Sequence, residues 1–139
     1  MNIILRDNQH YVLRLTLGED FMTSVVAFAK EHTITAASFT AIGATQKLTL
    51  GYYELQKKTY IDRSFSEDLE IVSITGNIAL KDGAPVIHAH GVFSNQEMQT
   101  FGGHIKQLIV GASCEIALTV YNGTIERAMN EEVGLPLMK

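Results

Sequence analysis

Glu70-Ile71-Val72-Ser73-Ile74-Thr75-Gly76-Asn77-Ile78-Ala79-Leu80-Lys81-Asp82-Gly83-Ala84-Pro85-Val86-Ile87-His88-Ala89-His90-Gly91-Val92-Phe93 carries the strongest local signal in this chain. Val72, Ile74, Ile78 and Leu80 alternate with Ser73, Thr75 and Asn77, the period-two pattern of a strand with one buried face. Gly76 interrupts that pattern, as a bulge or a close approach to the backbone does. Asp82-Gly83 is a hairpin signal, because the favoured two-residue turn needs positive φ at both positions. It joins the first strand to Val86 through Phe93, so the two are expected as antiparallel neighbours.

Working outward toward the N-terminus, Lys57 to Phe65, Lys47 to Leu55 and Thr35 to Gly43 read as strands rich in Thr, Ile, Tyr and Phe, the last two separated near Gly43-Ala44 by a turn or bulge. Asp20 to His32 places Phe21, Val25, Phe28 and His32 on one helical stripe. Before it, Tyr11, Leu13, Leu15 and Leu17 share one face of a strand. Toward the C-terminus, polar Ser94 to Thr100 leads through Phe101-Gly102-Gly103-His104 into an apolar run ending at Tyr121, with Asn122-Gly123 as the next turn. About seven strands around one main helix predict an α+β domain on a mostly antiparallel sheet.

The 139 residues are 46% hydrophobic and 19% charged, with a formal net charge of -4. A chain of this length buries roughly two-thirds of the surface its unfolded form exposes, so a single domain over 1–139 needs no metal or disulfide staple. Cys114 is the one cysteine, which excludes an intrachain disulfide framework; in the apolar run 109–120 it reads as a buried thiol suited to a reducing cytoplasm. Met1 to Asp7 lacks a leader pattern, and Arg14, Lys30, Lys81 and Lys106 interrupt the most apolar regions, so neither secretion nor a membrane helix is expected. Residues 1–66 hold seven Lys/Arg against six Asp/Glu, and residues 67–139 four against nine. That balance argues against a monomer that coats DNA, whose affinity rests on Lys and Arg neutralising phosphates.

Histidines carry the sharpest chemical signal. His88 and His90 stand two apart on a predicted strand, so both project from one face with Cα atoms about 6.6 Å apart, a spacing that can chelate one ion. His104 is a third candidate ligand, and Gly102-Gly103 before it lets a loop fold back onto the strand. Three imidazoles without a thiolate describe an open, catalytic type of site; the other reading is half-buried histidines satisfied by neighbours. Glu115, a carboxylate in an otherwise apolar strand, is the candidate general base for a metal-bound water, or else a paired group at an edge or subunit contact. A second constellation interleaves Lys47, Lys57, Lys58 and Arg63 with Tyr52, Tyr53 and Tyr60, a recipe for gripping phosphates and stacking bases that also suits an ordinary exposed hairpin.

Ile42-Gly43-Ala44, Leu50-Gly51-Tyr52-Tyr53, Glu70 to Ile78, Asp82-Gly83, His88-Ala89-His90, Phe101-Gly102-Gly103-His104 and Gly134-Leu135 occur in an order that resembles the plant-and-prokaryote-conserved (PPC) domain in its stand-alone prokaryotic form. The resemblance implies an antiparallel sheet domain assembling as a homotrimer, with His88, His90 and His104 holding a divalent metal, zinc foremost. Plant members carry an AT-hook that enters the DNA minor groove, and prokaryotic members are commonly called DNA-binding by association. The Arg-Gly-Arg-Pro core of that hook does not occur in these residues. Three functions are therefore expected in competition: a regulatory module bound to DNA or protein, a metal-dependent enzyme, and a small-molecule sensor using the open metal position.

Overall fold

The computed structural model describes residues 1–139. Nine strands and one helix follow in the order β1 (Asn2–Asp7), β2 (His10–Thr16), α1 (Phe21–Glu31), β3 (Ala37–Glu54), β4 (Thr59–Phe65), β5 (Leu69–Lys81), β6 (Ala84–Ser94), β7 (Thr100–Val120), β8 (Glu126–Asn130) and β9 (Leu135–Met138). The α+β class, the single helix and the dominance of antiparallel pairing are as the sequence predicts.

The β5–β6 hairpin forms around Asp82 and Gly83, both at positive φ (51° and 77°), with Lys81 and Ala84 paired across the turn. Gly76 proves to be a close-approach glycine and not a bulge. A Cβ there would lie 2.3 Å from Phe39 Cζ and 2.7 Å from the His88 carbonyl oxygen. Its neighbour across β6 is Ala89, so this close approach falls beside His88 and His90.

Two strands expected on either side of Gly43 are one continuous strand, β3, which is 18 residues long. Gly43 takes φ 149°, the pairing with β5 shifts register between Ala41 and Gly43, and a Cβ at Gly43 would meet Ser113 O at 2.2 Å. The glycine signal therefore marks a bulge that bends the strand without ending it. Bending lets β3 pair with β5 over its first half and with β7 along nearly all of its length. Since β5 pairs with β6, and the end of β6 pairs with the start of β7, strands β3, β5, β6 and β7 close into a circuit. Phe39, Ile74, Phe93, Ile105, Leu108 and Ile116 belong to the hydrophobic core of this arrangement, all 2% exposed or less.

Helix α1 buries Phe21, Val25 and Phe28 of the expected stripe together with Ala29, leaves His32 half-buried, and brings the Phe21 ring to 5.9 Å from that of Phe39. Its N-cap is Asp20, whose Oδ1 accepts the Thr23 backbone N–H at 2.8 Å. It ends at His32, whose ring lies 4.3 Å from Phe28. Strands β1, β8 and β9 go beyond the expected seven. All of β1 is exposed, so no burial alternation betrays it, while β8 and β9 are only five and four residues long. Strand β8 docks parallel to the end of β5, pairing Leu80 with Glu126 and Lys81 with Arg127. That contact carries the C-terminal hairpin over the outer part of β5 and sets one wall of the site described next.

A three-histidine candidate metal centre

Alternation along β6 sends His88 and His90 to one face, and the β6–β7 ladder places His90 directly opposite His104. Ring centroids lie 5.0 Å (His88 to His90), 5.1 Å (His88 to His104) and 5.3 Å (His90 to His104) apart. One nitrogen from each falls within 4.8 Å of the others, and His88 Nε2 stands 3.2 Å from His90 Nε2. Two nitrogens bound at about 2.0–2.1 Å to a tetrahedral zinc are about 3.3 Å apart, so this pair already holds a chelating separation.

His104 comes from a strand, not from the loop expected for it: β7 begins at Thr100. Neither Gly102 nor Gly103 takes a positive φ. Their service is closeness, since a Cβ on Gly102 would sit 2.5 Å from the Gly91 carbonyl oxygen of β6. Without a side chain there, the two histidine-bearing strands can meet.

Burial holds the His104 imidazole neutral, lowering its pKa to about 4, with further depression from the positive charge of His88, His90 and Lys106 and a small opposing pull from Asp62. His88 is lowered too, by burial first, then by the Arg127 guanidinium and His90. Neutral imidazole is the form that ligates metal. His104 Nδ1 is buried without a hydrogen-bond partner, an orphaned nitrogen that a protonated second-site partner or a bound ion would satisfy. On separation and donor type, the three residues fit a divalent metal.

These shifts carry a sign. A base whose folded pKa lies below its unfolded value of 6.5 takes up its proton first in the unfolded chain, so the metal-free protein keeps this contribution above about pH 6.5 and loses it as pH falls toward about 4. Urea midpoints measured between about pH 7.5 and about pH 4.5 should fall, and fall less in His104→Gln. Equal acid sensitivity in the two proteins would contradict the assignment.

Around the cluster, the Tyr60 ring lies 5.2 Å from His104, with Lys106 Nζ 4.3 Å above Tyr60 and 2.8 Å from Asp62. Burial raises the Tyr60 pKa, so it remains a phenol. Arg127 gives no signal in the sequence, because β8 lacks a periodic pattern; it donates from Nη2 to Asn77 Oδ1 at 2.9 Å and from Nη1 to Pro136 O at 3.0 Å, and approaches His88 Nδ1 at 3.5 Å. A pocket of about 310 Å³ opens between this hairpin and His88 and His104.

Glu115 lies elsewhere. It is exposed on β7, paired with Arg14 and Ile42, and eleven residues along the strand from His104, on the order of 35 Å at strand rise. It does not reach the histidines; its neighbours are Val12, Ile42 and Ala117 on the outer face of the sheet. Cys114 beside it is fully buried, its thiol pushed up to about 12 by burial and by Glu115. In the basic hairpin, Lys57 pairs with Glu54 at 2.9 Å and Lys58 donates to the Glu131 carbonyl oxygen at 2.7 Å. Lys47 and Arg63 are exposed and take part in none of the chain's ion pairs.

Fold and site together define a small antiparallel sheet protein whose own strands, without a loop, gather three imidazoles at one point. The Plants and Prokaryotes Conserved (PCC) domain model matches residues 5–122, and the chain belongs to this family, the one also abbreviated PPC. It is similar to a plant- and prokaryote-conserved protein from Pyrococcus horikoshii, with 33% identity over 95% of this chain and 92% of the other and a TM-score of 0.89. A metal-containing protein from Archaeoglobus fulgidus is 32% identical over 100% and 99% of the two chains, with a TM-score of 0.88. A candidate DNA-binding protein from Ralstonia eutropha is 32% identical over 97% and 94%, with a TM-score of 0.91. None of the curated proteins is similar enough in sequence to match. No helix is long and apolar enough to cross a membrane.

Proposed function

We propose that this protein is a cytoplasmic, homotrimeric binding module of the PCC family in which His88, His90 and His104 hold one divalent metal, zinc foremost. The observation that carries the reading is the convergence of the three imidazoles from two paired strands, with His88 Nε2 and His90 Nε2 already 3.2 Å apart. The metal-containing relative from Archaeoglobus fulgidus supports it. Zinc held by three imidazoles keeps a fourth position for an outside ligand and acts there as a Lewis acid. Metal analysis of untagged protein should find close to one equivalent per chain, and light scattering should give three times the chain mass. Protein that is purified metal-free and takes up neither zinc, nickel nor iron would end the metal reading.

Support for self-association comes from apolar side chains left on the outer sheet face, where Val12 is 39%, Ile42 57% and Val72 49% exposed. The buried, unreactive Cys114 suits a reducing compartment.

A module of this kind acts through what it binds. The relative from Ralstonia eutropha makes DNA one partner to consider. In this chain Lys57 and Lys58 are engaged within the fold, which leaves Lys47 and Arg63 as the hairpin cations free for phosphate. Two such contacts give a slope of log affinity against log salt of about -2, a weak attachment at physiological salt. Lys47→Gln/Arg63→Gln should flatten that slope, while Lys57→Gln/Lys58→Gln should leave it nearly unchanged; the reverse ranking would reject this use of the hairpin. A second reading, sensor or metal-dependent enzyme, is favoured by one observation, the pocket of about 310 Å³ opening onto His88 and His104.

A further inference from the structure

The pocket beside the histidines has an unbalanced lining. Lys81 and Arg127 face it together with His88, His104 and Tyr60, and neither Asp nor Glu lines it. Both cations are half-buried, and neither takes part in any of the four ion pairs of the chain. Arg127 is held in place by neutral groups alone: the Pro136 carbonyl, the Asn77 amide oxygen and the edge of His88. A guanidinium offers five N–H donors. Here Nε is buried and donates to nothing. Withdrawing a cation from water without a counter-charge is costly, and two of them beside one hollow leave a strong preference for an anion there.

The rest of the lining is aliphatic: Val86 and Ile87 from β6, Leu135, Pro136 and Leu137 from the C-terminal hairpin. Inorganic phosphate would answer the two cations and leave that wall unused. An uncharged aliphatic molecule would cover the wall and leave the cations unanswered. We infer that this pocket is a subsite for a small aliphatic carboxylate, its head taken by Arg127 and Lys81 and its body laid against Val86, Ile87, Leu135 and Pro136. Arg supplies a planar fork matched to a carboxylate, which a second lysine would not.

Arg127 and Leu135 to Leu137 lie outside residues 5–122, the stretch that matches the family model. The C-terminal hairpin thus supplies Arg127 and part of the aliphatic wall, and the sheet supplies the rest of the lining. The subsite does not depend on a metal at the histidines, and its test keeps the two apart.

Chelator-treated full-length protein is titrated calorimetrically with isovalerate, isovaleramide and inorganic phosphate, and zinc uptake is measured in parallel on the same preparations. Isovalerate should bind saturably, with isovaleramide and phosphate at least about tenfold weaker, since a hydrogen bond to a charged group is worth about 1.5–3 kcal/mol. Lys81→Met should weaken isovalerate about tenfold while zinc uptake stays intact, and Arg127→Met, which also touches His88, should weaken isovalerate at least as much. Should Arg127→Met loosen the hairpin, as circular dichroism would reveal, Lys81→Met decides alone. Equal binding of isovaleramide, undiminished isovalerate binding in Lys81→Met, or no saturation by about 50 mM overturns the subsite. Binding of isovalerate only after zinc is added also overturns it, because the carboxylate would then be serving as a metal ligand.

Discussion

Replacing His88 and His104 together by alanine is expected to abolish stoichiometric zinc binding. Partners that merely orient a metal-bound histidine are worth about 10–100-fold in affinity, so removing two of three direct ligands should cost more than about 10³-fold. His90, which is exposed, would remain alone. The loss should be visible in stability as well as in metal content. A ligand that binds only the folded state stabilises it by about 2.7 kcal/mol at one hundred times its dissociation constant, roughly 10 °C in the melting temperature of a domain this size. Wild-type protein should gain that increment on adding zinc, and the double variant should gain nothing. The variant should also lose the acid sensitivity between about pH 6.5 and about pH 4, because its two depressed imidazoles are gone. A double variant that still takes up one zinc per chain would place the metal elsewhere.

The second large effect is expected at a residue with no chemistry of its own. Gly102→Ala would drive a Cβ to 2.5 Å from the Gly91 carbonyl oxygen, a backbone atom that cannot swing aside. Strands β6 and β7 must then move apart where Gly91 faces Gly103 and His90 faces His104. Overpacking of this kind costs about 1–3 kcal/mol. Because the cost falls on the histidine pair, zinc affinity should drop along with stability. Gly83→Ala offers the contrast: its φ of 77° strains the hairpin turn, yet a Cβ there meets nothing within 4 Å and the turn lies away from the cluster. Both variants should be destabilised, and only Gly102→Ala should lose metal. If zinc affinity survives in Gly102→Ala, the spacing of the two strands does not set the site.

How far the residues alone reach can be followed position by position. Asp82-Gly83, the Phe21, Val25, Phe28 stripe and the alternation along β5 and β6 announce themselves because local propensity and tertiary role coincide there. The histidine pair on β6 is legible for the same reason, since a strand's two-residue period decides which way both rings point. His104 is legible as a residue and not as a position. Gly102-Gly103 looks like loop chemistry, and only the approach of Gly91 from another strand shows the glycines to be part of a ladder. Gly43 leaves a turn and a bulge equally open in sequence, and only the pairing with β5 decides for the bulge. Arg127 is out of reach, because its part in the pocket depends on a two-residue parallel contact between β8 and β5 that leaves no pattern in sequence. Glu115 shows the opposite failure: an unusual residue in an apolar strand, explained by the exposed face it occupies.

The circuit of β3, β5, β6 and β7 also bears on the order of events when the chain folds. Tyr11 pairs with Leu118 and Phe39 with the same residue, so β7 meets partners made long before it along the chain. Contacts of such sequence separation are slow to form, because loop-closure entropy is spent before they return anything. His104 travels on β7, the strand that completes the circuit. His104 nevertheless meets His90 across the local β6–β7 hairpin, so the three imidazoles can gather before those long-range pairings close. A metal held there, on the proposed reading, would brace the β6–β7 hairpin early and so speed folding as well as slow unfolding.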